Sequence, residues 1–362
     1  MKVLSLKTEH YRNLSSDLFV PGEGVNVLYG KNAQGKTNLL EALWLFTGGK
    51  SFRGVKDSEL ISYGEQQASL TLHFYSEERE QTAEIKILKK KRQAFLNGIF
   101  LRSPGLLVGK IGAVIFSPEH ISLVREGPNL RRNFLDAAIC QIRPGYVRIL
   151  NRYSRTLDQR NALLKDSFRH PELLDTISIW DERLSTDGEI IIKERESYVE
   201  SMKNPLSEIY EGLSSGKESL KVQYKRSAEN LLEALLKNRK QDFKVGYTTC
   251  GPHRDDLEIF LDGKNVRIFA SQGQKRSVVL SLKLAEAALL KQYSGEKPII
   301  LLDDVLSELD HTRQEYLLNH LSDCQVIITC CDPGQAKNLK NGFLFQVENG
   351  TLERKKAECT SI

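Results

Sequence analysis

The sequence predicts an α/β fold, a mixed sheet with flanking helices, interrupted by an inserted helical subdomain. Three observations predict it. A glycine-rich loop stands between an apolar strand and an apolar helix over residues 25–46. Two continuous apolar runs, Pro298–Leu302 and Gln325–Thr329, read as strands buried on both faces. Between the loop and these runs, from about Pro118 to Arg239, the apolar spacing changes from that of strands to that of helices.

The chain has 362 residues, which at about 150 residues per domain suggests roughly two domains. With 40% apolar and 27% charged residues, the composition excludes disordered, collagen-like and small disulfide-stapled classes. No apolar run approaches the ~18 residues that a membrane span needs, and Met1–Lys7 has no apolar signal core. The six cysteines (Cys140, Cys250, Cys324, Cys330, Cys331 and Cys359) form no C-x-x-C pair. Reduced thiols in a cytoplasmic protein with no membrane partner are therefore expected. The net charge of +5 permits a polyanionic partner without demanding one.

Strands are expected at Val25–Tyr29, Ala68–Phe74 and Ala113–Phe116, with a hairpin turn at Asn97-Gly98. Helical spacing covers Leu130–Leu164, Leu184–Ile209 and Ala228–Leu236. Strands return at Leu257–Leu261 and Val266–Phe269, joined by an Asp262-Gly263 turn. The expected division is 1–117 with 241–362 as one α/β domain, and 118–240 as the helical insertion.

Gly30-Lys31-Asn32-Ala33-Gln34-Gly35-Lys36-Thr37 fits G-x-x-x-x-G-K-[ST] at every fixed position. The glycines let backbone N–H groups turn inward around a phosphate, Lys36 adds charge at the β and γ phosphates, and the Thr37 hydroxyl suits Mg²⁺. A glycine-rich turn before an ordinary helix is the bland alternative. The strand before the loop and the helix Asn38–Phe46 after it argue for a nucleotide site.

The run Ile299–Leu302 ends in Asp303-Asp304. Carboxylates at the C-terminal end of a buried parallel strand face the ligand crevice. Asp303 is expected to hold Mg²⁺ opposite Thr37, and Asp304 to orient or deprotonate a water. A third element, Ala270–Arg276, opens a long helix with Ser271 at its tip, a place where an anion is welcome. A second phosphate-binding tip in a chain that already has a phosphate loop is most simply read as serving a site shared with another subunit.

Basic residues cluster twice. Arg131–Arg160 contains seven arginines against two aspartates, and Arg148, Arg152 and Arg155 share one helix face. Lys89, Lys90, Lys91 and Arg92 precede the Asn97-Gly98 turn. Both clusters suit DNA phosphates, and both also suit solvated faces paired with acids. His253 with Arg254, Asp255 and Asp256 lacks the i, i+4 spacing of a helix-borne metal site. It is expected instead to tie a hairpin to the nucleotide lobe.

Taken together, these residues resemble the ABC-type P-loop ATPase heads of the SMC and recombination-repair class, specifically the RecF family. The resemblance spans essentially the whole chain. It rests on Tyr11-Arg12-Asn13, the phosphate loop with Asn38–Ala42, Ser51-Phe52-Arg53, Phe116–Glu119, Arg131–Asp136, Gly251–Asp256, Ser271–Gln274 and Leu301–Asp310. It implies that Arg12, Asn13 and Gln274 join the nucleotide site and that ATP is sandwiched in a head-to-tail homodimer. Ser271, Gln272 and Gly273 would then act in trans, with Ser307–Asp310 as a contact loop.

The resemblance further implies binding of duplex DNA at gaps or single-strand junctions, and work with RecR, RecO and RecA in DNA replication and repair. Asp304 stands where the general cassette pattern has glutamate, and Thr329 where transporters carry a switch histidine; both imply a weak ATPase used as a switch. Two rival readings stay open, an ATPase subunit of a transporter and a P-loop kinase acting on a small molecule.

Overall fold

The computed structural model describes residues 1–89, 91–214, 216–332 and 342–355. Its contacts divide the chain into two compact units, Met1–His120 with Leu280–Ile362, and Ile121–Val279. The first division falls just beyond the expected 117/118. The second falls at 279/280, so residues 241–279 group with the helical insertion.

In the first unit the chain forms β1 (Lys2–Glu9), β2 (Leu18–Phe19), β3 (Val25–Tyr29), α1 (Lys36–Leu45), β4 (Gln67–Ser76), β5 (Arg79–Leu88), β6 (Lys91–Leu96), β7 (Ile99–Leu101) and β8 (Ala113–Phe116). The second unit holds α2 (Ser122–Arg125), α3 (Pro128–Ile142), α4 (Tyr146–Asp166), α5 (Ile177–Ser214), β9 (Leu220–Lys225), α6 (Leu231–Val245), β10 (Asp256–Leu261), β11 (Lys264–Asn265) and α7 (Val266–Phe269). Helix α8 (Gln272–Ser294) continues into the first unit, which ends with β12 (Ile299–Asp303), α9 (His311–His320), β13 (Val326–Cys330), β14 (Phe343–Glu348) and β15 (Thr351–Lys355).

Two six-stranded sheets build the first unit. One is antiparallel in the order β2-β1-β4-β5-β6-β7. Its strands alternate, as β4 does with every second side chain buried from Ala68 to Ser76, because only one face meets the core. The other has the order β15-β14-β3-β13-β12-β8. There β14, β3, β13, β12 and β8 run parallel and β15 closes the edge antiparallel. Strands β8, β12 and β13 are buried at every residue, which is why their sequences are unbroken apolar runs. Helix α1 shares one continuous core with strands of both sheets.

The Asn97-Gly98 turn forms as expected, with φ of +50° and +78°, the left-handed pair that a two-residue hairpin loop requires. It joins β6 to β7. Lys89 lies in the preceding hairpin turn and Lys91 opens β6 opposite Leu88 of β5; Lys90 lies outside the described residues. The five described cysteines are free, and Cys359 lies outside the described residues.

Two helical expectations change in detail. Leu130–Leu164 is two helices, α3 and α4, because Pro144 lacks the N–H that a continuous helix would need. Val266–Phe269, expected as a strand, is the short helix α7. Asn265 caps it by accepting a hydrogen bond from the Arg267 N–H at 3.0 Å. Val266 is buried while Ile268 and Phe269 are 70% and 67% exposed, so the alternate apolar residues do not share one buried face.

The helices of the second unit are pinned by buried ions. Fully buried Arg160 on α4 donates to Asp181 of α5 and Asp242 of α6, both at 2.7 Å, and to Thr248 at 2.8 Å. Arg195 on α5 donates to both oxygens of Asp136 on α3 at 2.8 Å and to the Pro252 carbonyl at 2.7 Å. Removing one member of such a pair strands the other charge away from water. Arg160→Met, which leaves Asp242 buried without its cation, is expected to cost about 3–5 kcal/mol, read as a lower urea midpoint; an unchanged midpoint would count against this pinning role.

Candidate functional site

The phosphate loop lies between β3 and α1, and α1 begins at Lys36. Gly35 precedes that helix at φ +111°, a region that L side chains avoid. A Cβ on Gly30 would stand 2.3 Å from the Val347 carbonyl oxygen of β14, so only glycine fits there. The Lys36 ammonium donates to the carbonyls of Gly30 and Lys31, folding the side chain back across the loop.

Each residue at the crest of the loop is tied to a different element. Asn13 donates to the Ala33 carbonyl at 3.0 Å and accepts from Asn38 at 2.7 Å. Cys331 donates to Asn32 Oδ1 at 3.0 Å. Gly350 donates to the Gln34 carbonyl at 3.0 Å. Behind the loop, fully buried Glu41 accepts from Arg12 through two nitrogens, at 3.0 and 3.1 Å, and from Tyr11 at 3.2 Å. The Ser51 hydroxyl is its fourth donor. Arg12 therefore faces a carboxylate of its own chain. The sequence reading included Glu41 in the Asn38–Ala42 motif but gave it no role of its own, although a lone acid inside an apolar helix was a visible signal.

The carboxylates meet the loop as their spacing predicts. Thr37 donates through its hydroxyl to Asp303 Oδ1 at 2.8 Å. Thr329, paired with Asp303 across β12 and β13, donates to the same oxygen at 2.8 Å. The Thr329 hydroxyl also accepts from the Asp304 N–H at 2.9 Å, where the chain turns with φ of +51°. Burial raises the Asp303 carboxyl above its ordinary range, opposed by its two threonine donors, while Glu119 and Asp304 add repulsion. At the end of β8, Glu119 accepts from Ser117 at 3.1 Å, and half-buried His120 accepts from the Ser117 N–H at 3.0 Å. Burial holds His120 well below the usual imidazole range, so it is neutral.

The tip of α8 is a reciprocal cap. Ser271 Oγ accepts from the Gln274 N–H at 3.3 Å, and Gln274 Oε1 accepts from the Ser271 N–H at 2.7 Å. Gln274 also donates to Glu218 at 2.6 Å, and Arg125 donates to Gln272. Ser271, Gln272 and Gly273 are exposed.

Within its own unit the Gly251–Asp256 segment ties β10 to α3, α4 and β9. Arg131 holds Asp256 through two nitrogens, at 2.7 and 3.0 Å. Tyr224 donates to Asp255 at 2.6 Å, and Tyr153 meets His253 Nδ1 at 2.7 Å. Burial lowers the His253 imidazole to about 4. Among the described residues, no group of three or more His, Cys, Asp or Glu side chains is arranged to hold a metal ion.

The basic residues divide. Arg152 is committed to Asp187, with Nε 2.6 and 2.9 Å from its two oxygens. Arg92 spans the Gly49 carbonyl and Asp57. Arg148, Arg155, Lys89 and Lys91 are exposed, and so is Arg152 despite its ion pair.

The chain matches the model of the RecF/RecN/SMC N-terminal domain over residues 2–353. It is 39% identical over 361 residues to the DNA replication and repair protein RecF of Agathobacter rectalis, covering 98% of this chain and 99% of that one. It belongs to the RecF family. The RecF of Lachnoclostridium phytofermentans is also 39% identical, over 98% of this chain and 100% of its own. A solved structure described as the recombination mediator protein RecF with ATP in the RecFOR pathway superposes with a TM-score of 0.91 at 37% identity, covering 98% of both chains. A Smc head domain from Pyrococcus furiosus, 15% identical with a TM-score of 0.58 over 98% of this chain and 96% of that one, shares the fold. The ABC-type ATPase head expected from the sequence is thus the fold of this RecF-family chain, and membership in this family does not favour the transporter or kinase readings. None of the described helices is long and apolar enough to cross a membrane.

Because one hydroxyl serves both aspartates, Thr329→Val is expected to cost about 1–3 kcal/mol, measured by urea unfolding, and Thr329→Ser to restore most of it. Equal stabilities for the valine and serine variants would show that the hydroxyl does not anchor the strand ends.

Proposed function

We propose that this chain is an ATP-dependent DNA-binding protein of recombinational repair and replication, in which ATP closes a head-to-tail homodimer on DNA and slow hydrolysis releases it. The observation that carries the reading is the meeting of Thr37 and Asp303, 2.8 Å apart, at the foot of a loop whose lysine reaches back over it. Loop N–H groups from Gly30 to Thr37 cradle the phosphates. Lys36 exchanges its two carbonyl partners for β- and γ-phosphate oxygens.

The donors at the metal position are the Thr37 hydroxyl and the Asp303 carboxylate, oxygens only, which fits a hard cation that also takes ligands from phosphate. When bound, Mg²⁺ neutralises charge on the phosphate oxygens. Asp304 orients or deprotonates the attacking water, with Thr329 fixing its backbone. Its reach is one methylene shorter than glutamate, consistent with a weak ATPase serving as a switch. Arg12, Asn13 and Gln274 support the nucleotide site.

Ser271, Gln272 and Gly273 of one copy meet the γ-phosphate held by the other. The exposed serine at the positive end of the α8 dipole supports this reading. Of the basic residues, Arg148, Arg155, Lys89 and Lys91 have exposed side chains for DNA phosphates. Duplex DNA with a gap or single-strand junction is the proposed substrate, with RecR, RecO and RecA as partners and the cytoplasm as the location. Relatives described as acting in the RecFOR pathway support this assignment.

Gel filtration with and without Mg-ATP tests the switch. The wild type is expected to shift to a dimer. Lys36→Met, losing a charged contact, is expected to bind ATP about 10–100-fold more weakly and stay monomeric. Ser271→Arg is expected to bind ATP and fail to dimerise. A wild type that stays monomeric at saturating Mg-ATP would refute the clamp. For DNA, Arg148→Glu with Arg155→Glu is expected to weaken binding and reduce the slope of log K against log salt by about 2; an unchanged slope removes these arginines from the interface.

A further inference from the structure

The phosphate loop is held in shape by a turn from the far end of the sequence. Strand β14 lies beside β3, pairing Phe345 with Leu28 and Gln346 with Tyr29. It then turns back into β15 through Asn349-Gly350, at φ +50° and +79°. Both turn residues donate their N–H to Gln34, Asn349 to the side-chain Oε1 and Gly350 to the carbonyl. The Gly350 carbonyl accepts from Ser15 through its N–H at 3.0 Å and its hydroxyl at 2.8 Å. A Cβ at Gly350 would stand 1.9 Å from the Asn13 carbonyl oxygen, and Asn13 is itself a donor to Ala33. Gln34 is thus the one loop side chain that receives a backbone donor from this turn, between the two glycines that shape the cradle.

We infer that the Asn349-Gly350 turn is a positioning element of the nucleotide site, acting through Gln34. This inference rests on the ATP-binding reading and deepens it. N–H groups that turn toward a common point repel one another, so such a loop needs contacts from outside to keep its shape. Two hydrogen bonds onto Gln34 fix the crest from outside, so that the N–H groups stand preset for phosphate oxygens and less order has to be imposed when the nucleotide arrives. Neither turn residue touches the phosphates; both act through the loop.

Isothermal titration calorimetry of the full chain with Mg-ATP tests this. Gln34→Met keeps the side-chain length and removes the acceptor. It is expected to weaken binding about 5–10-fold, the loss of one hydrogen bond, at unchanged stoichiometry. A variant that was merely less stable would show fewer binding sites at the wild-type Kd. Gly350→Ala is expected to lose more, because both its φ and its contact with Asn13 are disturbed; should it fail to fold, Gln34→Met decides alone. A Gln34→Met variant with wild-type Kd overturns the inference, whatever its stoichiometry. If Lys36→Met binds weakly while Gln34→Met binds normally, the positioning role fails and the ATP site stands. If the wild type takes up no ATP, or Lys36→Met binds as well as it does, both fail.

Discussion

One carboxylate oxygen organises the candidate site of the first unit. Asp303 Oδ1 accepts from Thr37 at the start of α1 and from Thr329 on β13, so the phosphate loop, β12 and β13 converge on a single atom. The parallel sheet delivers the carboxylate there because β12 ends at Asp303 and buried strands end at the ligand crevice. Burial disfavours its charge, and the two hydroxyl donors oppose that penalty. A group held in this balance is sensitive to any cation or phosphate that enters the crevice.

The second unit solves a different problem. Its helices carry many arginines, and a layer of packed leucines alone would not say which helix meets which. Arg160 joins α4, α5 and α6 through short, fully enclosed contacts, and Arg195 joins α5 to α3 and to the Pro252 carbonyl. Such ions add little net stability over apolar packing, yet a wrong pairing would strand a charge. The same arginines that look like a nucleic-acid footprint in sequence are thus partly internal scaffolding. Arg160 is the clearest case, enclosed between Asp181 and Asp242, whereas Arg152 pairs with Asp187 yet stays exposed beside Arg148 and Arg155.

Much of this was legible in the sequence, for physical reasons. Val25–Tyr29 and Ala113–Phe116 were read at their observed bounds, because unbroken apolar runs and glycine punctuation leave few alternatives. The Thr37–Asp303 meeting followed from where such strands end. The Val266–Phe269 helix did not follow, because alternation was judged without knowing that Ile268 and Phe269 face water. The grouping of 241–279 with the helices depends on β10 pairing with β9, a partner choice that local pattern does not encode. The Asn349-Gly350 turn carried its own hairpin signal, but nothing local announced that it would rest on Gln34.

The placement of β3 between β13 and β14 has a consequence for biosynthesis. Both neighbours lie some three hundred residues downstream in the sequence. At about 5–20 residues per second, a ribosome needs roughly 15–60 s after making the glycine-rich segment before either flank of that strand can be zipped. Throughout that interval the nascent polypeptide carries an apolar ribbon with two open edges, the kind of surface that invites wrong pairing. Until the last strands emerge, the cell is holding a sheet whose central strand was made early and can be assembled only at the end.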